Sequence, residues 1–239
     1  MVNIGKIALF SMTMVGCAAV AAQAATFTAN LSELNDSGVE GTVLLDLSED
    51  METLTVSLDA SGFEPNQVHV GHIHGLFSMG QIADSQTPTL EQDTDGDGFI
   101  ELGEGAPVYG PIVLPIETIN TPDGNASYTE TYDLSDSSIF GDNVLTPEEG
   151  DKFMTSDLFP LDFREIVYHG LSVPEGAGAG TEGEVDGSGG YKVVLPAAAG
   201  EIVAVRDDDV ASTPEPGVVA ALAIAGLGSL MGLRRPQPQ

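Results

Sequence analysis

The chain has 239 residues and carries 37 acidic side chains against seven Lys or Arg, which gives a formal net charge of −30. Such a charge repels phosphate backbones, so it excludes nucleic acid as a partner and favours divalent cations as ligands. The single cysteine, Cys17, excludes a disulfide within the chain.

The N-terminus has the organisation of an export signal. Lys6 precedes an apolar stretch that runs to Val20, and small residues follow up to Ala24. This pattern predicts a helical signal peptide over residues 1–24, with cleavage after Ala24. An alternative is a lipoprotein signal, because the residues before Cys17 approximate the pattern that precedes a lipid-modified cysteine.

After this signal, short segments of alternating apolar and polar residues are separated by clusters of Gly, Asp and Pro. The alternation is typical of strands with one buried face, and the clusters are typical of turns. It predicts nine strands, at residues 26–31, 41–47, 53–58, 68–75, 111–116, 126–132, 163–171, 191–195 and 201–205. We expect one domain over residues 25–210, folded as an antiparallel β-sandwich or a partly open barrel.

Three of the four histidines, His69, His72 and His74, fall in the fourth predicted strand. Side chains alternate across a strand, so His72 and His74 are expected on one face and His69 on the other. Two imidazoles on one face can hold one metal ion, which makes this strand the first candidate for chemistry.

An acidic segment that follows fits the twelve-residue calcium loop of EF-hands position by position. Carboxylates stand at positions 1, 3 and 5, a backbone carbonyl at 7, an acid that can act through water at 9, and a glutamate at 12. These ligands are Asp93, Asp95, Asp97, Phe99, Glu101 and Glu104. Calcium is therefore the predicted ion, since magnesium demands a tighter octahedron. The alternative is an acidic turn that binds nothing firmly.

The flanks of this loop differ from those of an EF-hand. Pro88 precedes the loop and Pro107 follows it, which argues against two long flanking helices. The sequence thus predicts an isolated calcium loop between two strands. We expect the ion to order the insertion over residues 77–110, where acidic side chains would otherwise repel one another.

Two later segments contain short sequence patterns that predict local structure. Residues 146–149 read Thr-Pro-Glu-Glu, which supplies an N-cap, a first-turn proline and a capping-box glutamate, so we expect a short helix through about Met154. The glycine-rich stretch over residues 176–190 predicts a mobile loop between late strands.

The C-terminus contains Pro-Glu-Pro at residues 214–216, an apolar run over residues 217–233 and then Arg234 and Arg235. This order closely resembles a PEP-CTERM sorting tail, here residues 211–239. The resemblance implies a transmembrane helix at 217–233, transient anchoring in the inner membrane of a Gram-negative bacterium, cleavage by an exosortase, and delivery to the cell surface or an exopolysaccharide matrix. The alternative is an ordinary membrane anchor.

The segment between the two ends resembles the CHRD domain, named for chordin. The similarity rests on residues 25–31, 54–58 and 72–75, on Gly110 to Val113, and on residues 166–170 as a second histidine-bearing strand. It implies an all-β antiparallel Greek-key sandwich, immunoglobulin-like or superoxide-dismutase-like. The chain departs from the family in two enlarged segments, the insertion that holds the calcium loop and residues 134–163.

The resemblance brings His169 beside His72 and His74 by strand pairing, and three neutral imidazoles suit copper or zinc. The alternative is a polar cluster without metal, in which the histidines bond to one another, to backbone carbonyls or to Tyr168 and Tyr109. A dinuclear dismutase site would lack ligands, because the chain has only four histidines.

Two functions are therefore expected. The first is a non-enzymatic, calcium-binding surface or matrix protein that associates with exopolysaccharide or works in adhesion. The second is a copper or zinc protein, either for metal storage or as a superoxide-dismutase-like oxidoreductase, that uses His72, His74 and His169.

Overall fold

The computed structural model describes residues 24–145 and 150–206, and β-strands dominate this part of the chain. The strands are β1 (Ala25–Glu33), β2 (Glu40–Leu47), β3 (Thr53–Ser61), β4 (Gln67–Ser78), β5 (Gln81–Ala83), β6 (Ile112–Thr121), β7 (Ala126–Asp133), β8 (Arg164–Val173) and β9 (Gly190–Ala204). The helices are α1 (Leu102–Tyr109) and α2 (Thr155–Leu158), with short 3₁₀ turns at Leu90–Gln92, Ser137–Ile139 and Leu161–Phe163.

All strand pairs are antiparallel, and they follow the order β5-β4-β8-β9-β1-β2-β3-β7, with β6 also paired to β4. Strand β9 has 15 residues and pairs with β8 over residues 190–201 and with β1 over residues 198–204. This long strand therefore joins two halves of the sheet, β6-β4-β8 on one side and β1-β2-β3-β7 on the other.

The two halves enclose one hydrophobic core. Alternate residues of β2 and β3 point inward, among them Leu45 and Val56, and they share one buried cluster with Ile73 of β4 and Ile166 of β8. The polar residues between them face outward, as the two-residue period of a strand requires. The core is therefore packed against one face of β4 and β8. A different part of the chain covers their other face.

The insertion over residues 77–110 covers that second face. Tyr109 of α1 and Ile100 form a separate buried cluster with Val167 of β8, Ala199 of β9 and Leu34. Strand β8 is consequently buried on both faces along most of its length. Functional side chains on the outer face of β4 and β8 are therefore enclosed rather than exposed.

The all-β prediction is confirmed, but two strands differ from expectation. The segments predicted at residues 191–195 and 201–205 are one continuous strand, because the intervening Pro196 lies at an irregularity of the β8–β9 ladder, where the lost N–H is tolerated. Strand β5, only three residues long, was not predicted from the sequence; it forms a tight hairpin with the end of β4.

The helical predictions need correction. A helix does form at the end of the acidic loop: α1 begins at Leu102, inside the twelve-residue segment, has eight residues and accommodates Pro107 in its second half. The helix expected through Met154 is wrong in its described part, since Gly150 has φ of +90° and Lys152 forms a β-bridge with Asp142. Helix α2 begins only at Thr155.

Several expectations fall outside the described residues, namely the signal peptide, the start of the helix at 146–149 and the C-terminal tail. Within residues 24–145 and 150–206, none of the helices has the length and apolar character needed to span a bilayer.

Candidate metal centres

Strand pairing brings three histidines onto one face. In the β4–β8 ladder Val70 lies opposite His169, and His72 lies opposite Val167. Residues opposite each other in a ladder point to the same face, so His169 joins His72 and His74 there. The ring centroids are 5.1 Å apart for His72 and His169, 5.6 Å for His72 and His74, and 6.0 Å for His74 and His169.

Backbone carbonyls orient two of these rings. The Nδ1 of His74 donates to the carbonyl oxygen of Gly110 at 2.8 Å, and the Nδ1 of His169 donates to that of Val194 at 2.7 Å. Because a carbonyl only accepts, each Nδ1 carries the proton and each Nε2 presents a lone pair. A histidine that binds metal commonly holds its other nitrogen in this way.

One nitrogen of each histidine lacks a partner. The Nε2 of His74, the Nε2 of His169 and the Nδ1 of His72 are buried, and none has a hydrogen-bond partner among the described residues. One ring nitrogen from each of the three histidines can be chosen such that all three lie within 4.8 Å of one another. Buried polar atoms without partners are costly unless something else satisfies them.

Burial also keeps these rings neutral. Desolvation lowers the pKa of His72 to about 4 and that of His169 to about 4, and it lowers the pKa of His74 well below its usual range. Mutual repulsion adds to this effect at His72 and His74. A neutral imidazole is the form that binds zinc or copper, so no proton has to leave at neutral pH.

His69 lies on the face of β4 opposite to that of His72 and His74, as the alternation of side chains along the strand predicted. Both of its ring nitrogens lie near backbone carbonyl oxygens, Nδ1 at 3.3 Å from that of His169 and Nε2 at 3.2 Å from that of Glu64. Its ring contacts Phe63, a member of the main core. His69 is therefore a structural residue, and it is separate from the three-histidine cluster.

The alternative of a purely hydrogen-bonded cluster accounts for only part of this geometry. Tyr168 is engaged elsewhere, since its hydroxyl lies 2.8 Å from that of Tyr128. Tyr109 packs against His74 with ring centroids 4.5 Å apart, but its hydroxyl donates to the carbonyl of Leu102. Backbone carbonyls thus satisfy one nitrogen each of His74 and His169, while the Nδ1 of His72 and the Nε2 of His74 and His169 remain without partners among the described residues.

A buried carboxyl lies beside this cluster. Glu165 is opposite His74 in the β4–β8 ladder and has no exposed surface. Desolvation raises its pKa to about 8, although a hydrogen bond from Thr87 at 2.5 Å opposes the shift. Glu165 was not predicted as a site residue, because no local pattern in the sequence distinguishes it from the exposed acids.

The acidic loop is folded back on itself. Asp93 accepts backbone N–H groups from Gly96 at 2.7 Å and from Gly98 at 2.9 Å, and Asp97 accepts one from Phe99 at 2.8 Å. Carboxylate oxygens of Asp93, Asp95 and Asp97, one from each, lie within 4.8 Å of one another.

Glu104 closes the other end of this loop. Its Oε1 accepts from the backbone and hydroxyl of Thr94, at 2.6 and 2.8 Å, and its Oε2 accepts from the N–H of Glu101 at 3.1 Å. The carboxylates that lie close enough to share one ion are those of Asp93, Asp95 and Asp97, whereas Glu104 bonds to Thr94 and Glu101.

Like charges crowd the loop. Desolvation raises the pKa of Asp97, and the charges of Asp95, Asp93 and Glu104 raise it further, while a bond from Phe99 opposes the shift. The Oδ2 of Asp97 is also buried without a partner among the described residues. A divalent cation at this point would neutralise the crowded carboxylates.

The glycine-rich stretch packs against this loop, which corrects the expectation of a mobile segment. Val185 is fully buried, and its N–H donates to the Oε1 of Glu101 at 2.5 Å. At Gly183 an added Cβ would lie 1.9 Å from the Oε2 of Glu101, so the two segments are in close contact. Glu101, expected as a ligand through water, is directed toward this stretch and is only 4% exposed.

No protein-family model matches the chain, and no curated protein sequence matches it.

Proposed function

We propose that this is an exported metal-binding protein, whose function rests on one zinc or copper ion held by His72, His74 and His169. The observation that carries this proposal is the set of three buried imidazole nitrogens without partners among the described residues. They belong to neutral rings, and one ring nitrogen from each of the three histidines can be chosen such that all three lie within 4.8 Å of one another. Three histidines with an open fourth position are a common donor set for zinc.

The tautomers support the same proposal. A cluster that served only to fix the sheet would be expected to satisfy its inward nitrogens by hydrogen bonds. Here the carbonyls of Gly110 and Val194 accept from the Nδ1 of His74 and of His169, so the Nε2 of each ring keeps a lone pair. When bound, the ion would supply Lewis acidity, or redox chemistry in the case of copper.

Metal analysis of the protein purified without an affinity tag tests the proposal. We expect about one zinc or copper per chain, and its loss in the His72→Ala/His74→Ala double variant. His69→Gln is the matched control, because this buried histidine lies on the other face, and its metal content should equal that of the wild type. Wild-type protein that holds neither ion after reconstitution would overturn the proposal.

A second function is favoured by the acidic loop. We propose that Asp93, Asp95, Asp97, the backbone carbonyl of Phe99 and Glu104 bind calcium, and that this ion would order the insertion that covers the histidine face. Glu101, expected as a ligand through water, bonds instead to Val185. The proximity of three carboxylates supports this reading. If calcium is the only ion found, the protein is better described as the non-enzymatic surface or matrix protein of our first expectation, associated with exopolysaccharide or adhesion.

The finer architecture and the cellular route are part of the proposal. We propose that the curled antiparallel sheet is a Greek-key sandwich of the CHRD type, and that a signal helix over 1–24 and a membrane helix over 217–233 flank it. Cleavage by an exosortase would release the domain at the cell surface of a Gram-negative bacterium. Mass spectrometry of the mature termini tests this route, and termini at Met1 and Gln239 would contradict it.

A further inference from the structure

The three histidine nitrogens that lack partners among the described residues are closed off from solvent. His74 is only 2% exposed and His169 only 1%. The Nδ1 of His72 is buried as well, although the rest of this residue is partly exposed. An ion can therefore reach all three nitrogens only when part of the structure moves.

The segment that covers His74 is the end of the insertion, residues 93–110, which we call the cover. It contains the acidic loop and α1. The ring of Tyr109 packs on that of His74 with centroids 4.5 Å apart, and the carbonyl oxygen of Gly110 accepts from the Nδ1 of His74 at 2.8 Å. Outward movement of α1 would therefore uncover His74 and release its ring.

The apolar contact that holds the cover is small. Ile100 and Tyr109 are the buried hydrophobic side chains of the cover, and they pack on Leu34, Val167 and Ala199. The main core of the domain is a separate and larger cluster. A segment with few buried apolar contacts can open locally while the rest of the domain stays folded.

One side chain ties the acidic loop to the sheet. Asn35, in the loop between β1 and β2, donates from Nδ2 to the carbonyl oxygens of Ile100 and Pro196, each at 2.9 Å. Its Oδ1 accepts from the N–H of Ile100 at 2.6 Å. Ile100 stands at position 8 of the acidic loop, so an ion that orders this loop would also hold Ile100 against Asn35.

A second fastening lies at the other end of the cover. The hydroxyl of Ser85 donates to the carbonyl oxygen of Tyr109 at 3.1 Å and accepts from the N–H of Leu76 at 2.9 Å. Ser85 therefore ties the end of α1 to β4.

We propose that the cover is a gate for the metal: it opens when the ion enters or leaves the site of His72, His74 and His169, and calcium in the acidic loop keeps it closed. Asn35 is the latch of this gate, because it joins the loop to β9. The inference rests on the proposed function, since it concerns an ion held by the histidines. It adds that calcium sets how fast this ion exchanges.

Release of zinc from the loaded full chain tests the gate. An excess of the dye pyridylazoresorcinol captures zinc that leaves the protein, and the change in its absorbance gives the rate. We expect the rate to level off as the dye concentration rises, because opening becomes limiting, and we expect calcium to slow release about tenfold. A rate that keeps rising in proportion to the dye, or one that calcium does not change, would overturn the inference and indicate that zinc leaves past the exposed part of His72.

A matched pair of asparagines tests the latch. Asn35 and Asn66 both have positive φ, 58° and 60°, so glycine fits either position without strain. Asn35→Gly removes the bonds to the loop and to β9, and it should speed zinc release about tenfold in the presence of calcium. Asn66→Gly, at an exposed position outside the cover, should release zinc at the wild-type rate.

Equal release rates in these two variants would overturn the inference. If Asn35→Gly does not fold, Ser85→Ala provides the same comparison, because it loosens the other fastening of the cover. Wild-type protein that takes up no zinc would instead overturn the proposed function along with the inference.

Discussion

The Nδ1 of His74 donates a hydrogen bond to the carbonyl oxygen of Gly110 at 2.8 Å. Gly110 caps the C-terminal end of α1, and Glu104, the last ligand position of the acidic loop, lies in the first turn of the same helix. One eight-residue helix therefore connects the two candidate metal centres. An ion bound at the start of α1 would therefore also fix the carbonyl oxygen that orients His74.

This connection predicts that calcium strengthens zinc binding. We expect the Kd for zinc to fall about tenfold when calcium is added, since a partner that orients a metal-binding histidine has effects of this size. Titration of metal-free protein with zinc, with and without calcium, measures the change. In Glu104→Gln the zinc affinity should no longer respond to calcium, whereas equal zinc affinities in the wild type under both conditions would contradict the coupling.

Calcium should also stabilise the fold. At a concentration about 100-fold above its Kd, a ligand that binds only the folded state adds about 2.7 kcal/mol, which corresponds to a rise in Tm of about 5–10 °C for a domain of this size. Thermal unfolding followed by circular dichroism checks this. Glu104→Ala should abolish the rise, and Glu91→Ala, an exposed acid outside the loop, should keep it. A wild-type Tm that does not change when calcium is added would exclude the site.

The contact between the acidic loop and the glycine-rich stretch can be tested with a matched pair of glycines. Gly183 and Gly180 both have positive φ, +123° and +104°, but only at Gly183 does an added Cβ meet Glu101. We expect Gly183→Ala to lower the free energy of unfolding by about 1–3 kcal/mol more than Gly180→Ala, because Glu101 must give up its bond to Val185. Chemical denaturation measures both, and equal losses would argue against the contact.

Glu165 should make the stability depend on pH. Burial raises its pKa to about 8 in the folded state, whereas the unfolded chain releases this proton near the ordinary value of about 4.5. Between these values the unfolded state binds fewer protons, so the free energy of unfolding falls as pH rises, by up to about 1.4 kcal/mol per pH unit.

Glu165→Gln keeps the shape of the side chain and removes its titration. Denaturation between pH 5 and 8, with a chelator present, should therefore show a shallower loss of stability in this variant than in the wild type. Glu91→Gln, an exposed acid in a different segment, should follow the wild-type slope. The same slope in Glu165→Gln would mean that the carboxyl is already ionised at neutral pH.

The local sequence pattern was sufficient to predict several features of this protein. The two-residue period placed His72 and His74 on one face and His69 on the other, and it located most strands within a few residues. These features depend only on near neighbours in the chain. The calcium loop is likewise a pattern of twelve consecutive residues, and its assignment as a binding site stays a prediction.

By itself, then, the sequence determined the all-β class, the side of the strand on which each histidine lies and the run of acids that forms one loop. The tertiary structure alone decided which ring nitrogens of His74 and His169 are hydrogen-bonded, because the carbonyls of Gly110 and Val194 come from residues 36 and 25 positions away. It also decided that the glycine-rich stretch packs on Glu101 and that Glu165 is buried. Strand register and long-range packing set these relationships, and neither leaves a signal in the residues nearby.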